Sequence, residues 1–590
     1  MSLLPHLDYN GVKDGAGVHL LTLPRPLRRS RRIKTLWAIA GVMLLILLMS
    51  GLHRSIEIPD ISELYPTQPV TSFPGGDISP AINPPTAELN EDDTFASGTT
   101  KSNTSFHLII RGPRKNPGIC RTIFTAMVLN YPPPTVLDMG DPIPEEGKPK
   151  PGKLDQLLVM HSYLTKSTHM KNDDVILIID ASETWFQLPP QIMLQRFHDM
   201  LKKNNEKLRW RYGSVPEKLV NTADPGSLTS TQRYSERIIF AADKVCRPNR
   251  PYDPSCYVVP HSNLPPDIFG RLTDTGINVA YNRPRWLNSG SLIGLVGDVK
   301  RLYERAAEIN SKAPIPGDEQ EVLAQIFGKQ EYTRELDRRL TRPNWYIFMG
   351  ELFGIFRRID ISRIFVRLTP GRRYEFAIGL DYKSQIFFTM FPHAHHNLEW
   401  LNYNNVSQLS SVQLSHRVPY ESRLNLPADI SKCANPFNPP HPLTTQVPPP
   451  YNTTVDYLPS PQNESWFTIP LATDVYSTSV PALLQANVAS PPTMSDPTPN
   501  LLYNWWQRMW YHPWSRALLR KHMRASRGPI ATQKAMQGVG TEAWDMRGGS
   551  GGVWTGNDEW ADWTTVCKGF EEWVFGDDGF GKWGEELGFD

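Results

Sequence analysis

Between residues 105 and 330, short apolar runs alternate with longer segments whose apolar positions recur every three or four residues. No other feature of this chain restricts its fold as strongly. FHLIIRG (106–112), PTVLDMG (134–140), DDVILIID (173–180) and RIIFAA (237–242) read as strands, and the stretch SGSLIGLVG (289–297) continues the series. NPGICRTIFTAMVLNY (116–131), KLDQLLVMHSYLTKS (153–167), residues 190–204 and DVKRLYERAAEI (298–309) read as helices. A strand that is apolar at successive positions has both faces covered, which is the condition of a parallel sheet between helical layers. The expectation is therefore an α/β domain built from βαβ units, Rossmann-like, with a mostly parallel sheet flanked by helices. Loops of more than 20 residues, around Arg209–Arg233 and Asn249–Arg283, read as flaps or insertions.

The ends of the chain differ from this body. Residues 36–52 (LWAIAGVMLLILLMSGL) carry no charge and, as a helix, rise about 26 Å, suited to a thin bilayer. Arg25, Arg28, Arg29, Arg31, Arg32 and Lys34 precede them, so the positive-inside bias puts the N-terminus in the cytosol. The expected organisation is a cytosolic basic tail (1–35), a signal anchor (36–52), a disordered stem (53–104), the α/β domain (105–430), a proline-rich linker (431–500) and a tryptophan-rich extension (501–590). That makes a single-pass type II membrane protein of the Golgi or endoplasmic reticulum, with its bulk in the lumen. The acceptor sites for N-linked glycans, Asn103, Asn405, Asn452 and Asn463, all follow the anchor. Cys246 and Cys256 are close enough in sequence to staple a loop, while Cys120, Cys433 and Cys567 show no partner in the sequence. With 62 basic against 60 acidic residues there is no charge excess for nucleic acid, and none is expected as a partner. Ten of the 17 tryptophans fall after residue 500, so the extension reads as a docking segment for a protein partner or as a tail with scattered aromatics.

Ligands of open parallel sheets bind beyond the carboxyl ends of the strands. Asp180 and Glu183 stand there, after VILII. Two acids three positions apart can hold one hard divalent cation beside a diphosphate, or can cap the helix that begins near Pro190. Asp243 follows its strand in the same way, as a pocket acid or a loop acid.

VILIIDASETWFQLPPQIMLQRF, RIIFAADKVCRPN, RWLNSGSLIGLVGDVKRL and GDEQEVLAQIF resemble, in that order, blocks of the glycosyltransferase domain shared by procollagen galactosyltransferases and procollagen lysyl hydroxylases. They are closer still to a set of membrane-anchored fungal relatives. The resemblance covers residues 155–330 and implies a GT-A fold, a nucleotide-sugar donor and manganese. It assigns metal binding to Asp180, Glu183 and a late histidine, taken as His416 with His393, His395 and His396 as rivals. It assigns substrate binding to Lys153, Asp243, Asn288, Ser289 and Gly290, and catalysis to Asp318 and Glu319, which also read as the cap and first turn of a helix. Four positions depart from the pattern: Ser182 where an aromatic is usual, Glu183 for Asp, Arg247 for a frequent Trp and Ser291 for a frequent Gly. The expected activity is metal-assisted transfer of a hexose from a UDP-sugar to a glycan or glycoprotein. The alternatives are a non-catalytic sugar- or partner-binding module, and an interaction protein acting through its extension.

Overall fold

The computed structural model describes residues 104–576 apart from internal stretches, the longest of which are 138–153, 217–229, 344–360, 438–457, 487–497 and 525–542. The expected tail and anchor, all of the stem but Thr104, and with them Asn103, Lys153 and Asn452, lie outside the described residues. Among those that are described, no helix is long and apolar enough to cross a membrane.

The first half follows the alternation of the sequence. Strand β1 (Ser105–Arg111) leads into α1 (Pro117–Val128), whose first turn is set by Pro117 and by the Asn116 side chain accepting from Gly118 N at 2.7 Å. Then come β2 (Thr135–Leu137), α2 (Leu154–Lys166), β3 (Val175–Asp180), β4 (Thr184–Phe186) and α3 (Pro190–Tyr212). The stretch expected as a loop near Arg209–Arg233 holds the end of α3 and an antiparallel pair, β5 (Ser214–Pro216) with β6 (Ser230–Gln232). After it follow β7 (Ile238–Asp243), β8 (Trp286–Leu295), α4 (Val296–Lys312), α5 (Glu319–Thr341) and β9 (Ile378–Asp381).

These strands lie in the order β2-β1-β3-β8-β7-β9, parallel except for β8, which runs against both neighbours. Alternate residues feed two separate cores. Leu177 and Ile179 of β3 join Ile123 and Phe124 of α1 and Phe197 of α3 on one face. Ile176 and Ile178 join Leu157 of α2, Leu302 of α4 and Leu323 of α5 on the other. The unbroken apolar run of β3 is the consequence of this double covering.

The second half departs from expectation. Beyond β10 (Phe387–Thr389), β11 (Leu398–Leu401) and α6 (Val406–Ser415), the proline-rich stretch supplies two buried strands, β12 (Leu471–Asp474) and β13 (Leu483–Gln485). β12 pairs with β11, and β13 joins β10 to β4. The prolines flank these strands, where no ladder hydrogen bond is lost. The extension packs α7 (Thr498–Gln507) and α8 (Ser515–Arg524) beside α1, then adds β14 (Ala543–Trp544) along β1, β15 (Gly552–Thr555) along β2, and β16 (Trp560–Asp562) at the edge. Trp506, Trp510 and Trp563 are at most 1% exposed, so these tryptophans are core residues and not a docking face. Cys120 of α1 and Cys567 of the extension form a disulfide across a separation of 447, Cys246 and Cys256 form a second, and Cys433 is free.

Candidate functional site

Because β1, β3 and β7 are parallel, their last residues, Arg111, Asp180 and Asp243, emerge at one edge of the sheet. Arg111 is the centre of the first cluster. Its guanidinium contacts Asp180 at 2.6 Å, pairs with Glu319, reaches Tyr303 Oη at 3.3 Å and donates to the Ser289 carbonyl at 2.9 Å. Tyr303 also donates to Glu319 at 2.6 Å. Burial works against the charge of Arg111, but Asp180 and Glu319 outweigh it and hold the group above the ordinary arginine range. Asp180 keeps 40% of its side chain exposed. Desolvation there pushes its carboxyl up to about 6, with Arg111 opposing the rise and Glu319 adding to it.

The three expected metal ligands do not come together. Glu183 adopts a left-handed backbone, φ 58°, which turns its side chain towards α1. One carboxylate oxygen lies 2.7 Å from Arg121 and the other accepts from Trp185 Nε1 at 3.2 Å. Arg121 in turn donates to the Trp573 carbonyl at 2.9 Å and lies 5.5 Å from the ring centre of Trp506. The second acid of the motif is thus occupied in binding the extension to α1. It does not cap α3, whose N-cap position is Pro189 and carries no side-chain capping bond. His416 ends α6 and sits 3.2 Å from Glu399. Among the described residues, no group of three His, Cys, Asp or Glu side chains is arranged to hold a metal ion. The donor set drawn from the resemblance does not fit a manganese ion in this arrangement, since each acid already faces an arginine.

A second hollow opens beyond β7. Asp243, Lys244, Thr389, His393, Asn397 and Asp474 supply its polar wall, with Phe269 and Tyr476 meeting edge to face at 4.7 Å. Burial raises the Asp243 carboxyl, while Arg247 and the Lys244 N–H pull it down. Burial also lowers Lys244 to about 8, although Asp474 and Asp243 oppose this, and its amine donates to the Ala280 carbonyl at 2.5 Å. His393 is lowered by burial against the pull of Asp243. Of the four late histidines, His393 is the one lining the hollow, whereas His416 touches only its rim through Tyr476, at 5.8 Å between rings.

The segment Trp286–Gly290 of β8 joins the two places. Asn288 donates to Thr389 Oγ1 at 3.1 Å and accepts from Gly290 N at 2.9 Å. Ser289 N donates to Gln320 Oε1 at 2.8 Å. A Cβ on Gly290 would fall 2.0 Å from the Gln485 side-chain amide, so a larger residue there would have to displace that amide. Asp318 is the N-cap of α5, one of its oxygens accepting from Glu321 N at 2.8 Å, and Glu319 is 5% exposed and held by Arg111 and Tyr303. Asn405 and Asn463 are exposed, and Asn405 also caps α6. Sequence reasoning missed Arg111, Lys244 and Asp474. A lone arginine closing the apolar run FHLII was the one available signal for Arg111. Asp474 was hidden because its surroundings read as linker.

No known protein-family profile matches this chain, and no curated protein matches it.

Proposed function

We propose that the chain is a lumenal glycosyltransferase of GT-A type that moves a hexose from a nucleotide sugar to a glycan or glycoprotein, anchored as a single-pass type II protein in the Golgi or endoplasmic reticulum. One observation carries the reading. Asp180, Ser289 and Glu319–Gln320, drawn from three blocks more than a hundred positions apart at the extremes, converge within hydrogen-bonding distance of one another through Arg111 at the carboxyl edge of the sheet. The reversed strand β8 within the central strands and the two disulfides support the same reading.

In the transfer, an acceptor hydroxyl forms a bond to the anomeric carbon, the bond from that carbon to the diphosphate breaks, and the hydroxyl proton must find a base. Asp243 is the best placed to receive it. It lines the hollow together with Phe269 and Tyr476, and its proton affinity is raised by burial. Leu287–Gly290 hold the donor side and this hollow in fixed register.

The test is hydrolysis or transfer from a panel of UDP- and GDP-sugars by the purified full chain. Asp243→Asn should abolish turnover while nucleotide binding survives; full activity in that variant removes Asp243 from the mechanism. A wild type that binds nucleotide sugars yet never turns over leaves the second reading, a non-catalytic sugar-binding module, which the capture of Glu183 by Arg121 favours.

A further inference from the structure

The hollow beside Asp243 has little room left in it. Its free volume is about 10 Å³, enough for one water, so a sugar ring enters only if part of the wall moves. One part of the wall is built to move. Residues 264–276 form a flap between β7 and β8; of these only Leu264 is buried, and none belongs to either of the two large cores. Arg283 gathers the flap at its base. Its guanidinium donates to the Leu264 carbonyl and to Asp274, each at 2.8 Å, and its backbone N–H donates to Asp274 at 2.9 Å. The flap thus keeps its own shape while sharing little apolar contact with the body, the condition for opening as a unit.

Midway along the flap, Phe269 reaches across the hollow. Its ring centre lies 4.5 Å from Lys244 Nζ, just past the end of β7, and the ring meets Tyr476, just past β12, edge to face at 4.7 Å. The ring therefore bridges two walls and covers a lysine that is 2% exposed. Ring contacts of these two kinds are each weak. Behind the ring stand Asp243, Lys244, Asn397 and Asp474, donors and acceptors of the kind that sugar hydroxyls use.

We propose that residues 264–276 are a lid, and that Phe269 plugs the hollow until a sugar displaces it. Only the identity of the occupant rests on the transferase reading; the plug itself does not. Lifting the lid bares the Lys244 amine, so the reactivity of that amine reports the motion.

Reductive methylation of the full chain in detergent, with formaldehyde and a borane reductant and with each lysine followed by mass spectrometry, tests this. Lys521 of α8, whose amine donates to the Phe437 carbonyl at 3.0 Å, is the reference. Burial lowers both amines to about 8, so their chemistry is matched, and Lys521 is only half-buried, so a lid that stayed shut would leave Lys521 the faster. The expected result is that Lys244 is the faster of the two in the wild type, and faster again by about tenfold in Phe269→Ala with Lys521 unchanged. Methyl galactoside, methyl glucoside and methyl mannoside, which have no free aldehyde to react with amines, should include one that slows Lys244 alone. A wild type in which Lys244 is the slower overturns the lid, whatever Phe269→Ala does to folding. A Lys244 rate in Phe269→Ala equal to that of the wild type overturns the plug. In both cases the transferase reading is left to its own assay. Labelling as expected that no glycoside slows keeps the lid and overturns the sugar as its occupant, and with it the part given to Asp243 in transfer.

Discussion

Replacing Glu183 by glutamine separates its two candidate roles. A ligand of a catalytic cation can be neutralised with little effect on folding, whereas an anchor cannot. The Glu183 side chain is 15% exposed and that of Arg121 only 4%, with 2.7 Å between them and Trp185 Nε1 donating to the remaining oxygen. Glutamine offers one acceptor where two donors converge, and its amide hydrogens then face either the guanidinium or the indole N–H. Removing one member of a largely buried pair costs about 3 kcal/mol, because the other charge stays behind. For a folded unit of this size the unfolding entropy is roughly 1 kcal/mol per degree, so the melting temperature should fall by about 3 °C. Glu183→Asp, which restores the commoner acid of the resembled family, should fall nearly as far, since the shorter side chain does not reach Arg121. Arg121→Met combined with Glu183→Gln should recover part of the loss, the signature of a coupled pair. Differential scanning calorimetry of the four proteins measures all of this. An unchanged melting temperature in Glu183→Gln would refute the anchoring role.

Two further outcomes follow from the same geometry. Cys120→Ser or Cys567→Ser should lower stability by about 2–5 kcal/mol, read from urea midpoints, since the bridge closes a loop of several hundred residues; equal midpoints would count against a formed disulfide. Lys244 is 2% exposed and depressed from its ordinary 10.5 to about 8, so burying its charge costs about 3 kcal/mol below pH 8, and that cost fades as the pH rises towards 10.5. After allowing for the lost bond to Ala280, Lys244→Met should be more stable than the wild type by about 2 kcal/mol at pH 7, the advantage shrinking between pH 8 and 10. A pH-independent difference in urea unfolding would contradict the assignment.

The strands of the first half were legible because they are covered on both faces: VILII and RIIFAA have no solvent side to interrupt the apolar run. The helices showed through their period, and Asp318 through its position before the acids of a first turn. The strands Leu471–Asp474 and Leu483–Gln485 were not legible, being three or four residues long, bracketed by prolines and stabilised by partners 70 or more positions away. Gly552–Thr555 is a strand because β2 and β16 offer it ladders. The pairing of Cys120 with Cys567 and of Arg121 with Glu183 depends on the third dimension alone. The spacing of Asp180 and Glu183 correctly put both at the sheet edge, but a left-handed residue between the strands sent the second acid the other way.

The same anchor decides what truncation can show. Removing residues 501–590 would take away Trp506, Trp510 and Trp563, three of the largest fully buried side chains, along with the Cys120–Cys567 bridge and the ladders on β1 and β2. Phe124 would lose its edge-to-face partners Trp506, Tyr511 and Phe575, and Arg121 would lose the Trp573 carbonyl. Each large aromatic removed from a core costs about 3–5 kcal/mol, so three of them alone approach or exceed the 5–15 kcal/mol that holds a typical domain together. The truncated chain should therefore fail to fold, exposing apolar surface and becoming sensitive to protease at sites inside the first half. Loss of function after such a deletion would then say nothing about a partner for the extension. A truncated chain that stayed monomeric, protease-resistant and cooperative in unfolding would restore the extension as a separable module and undo the structural role argued for Glu183.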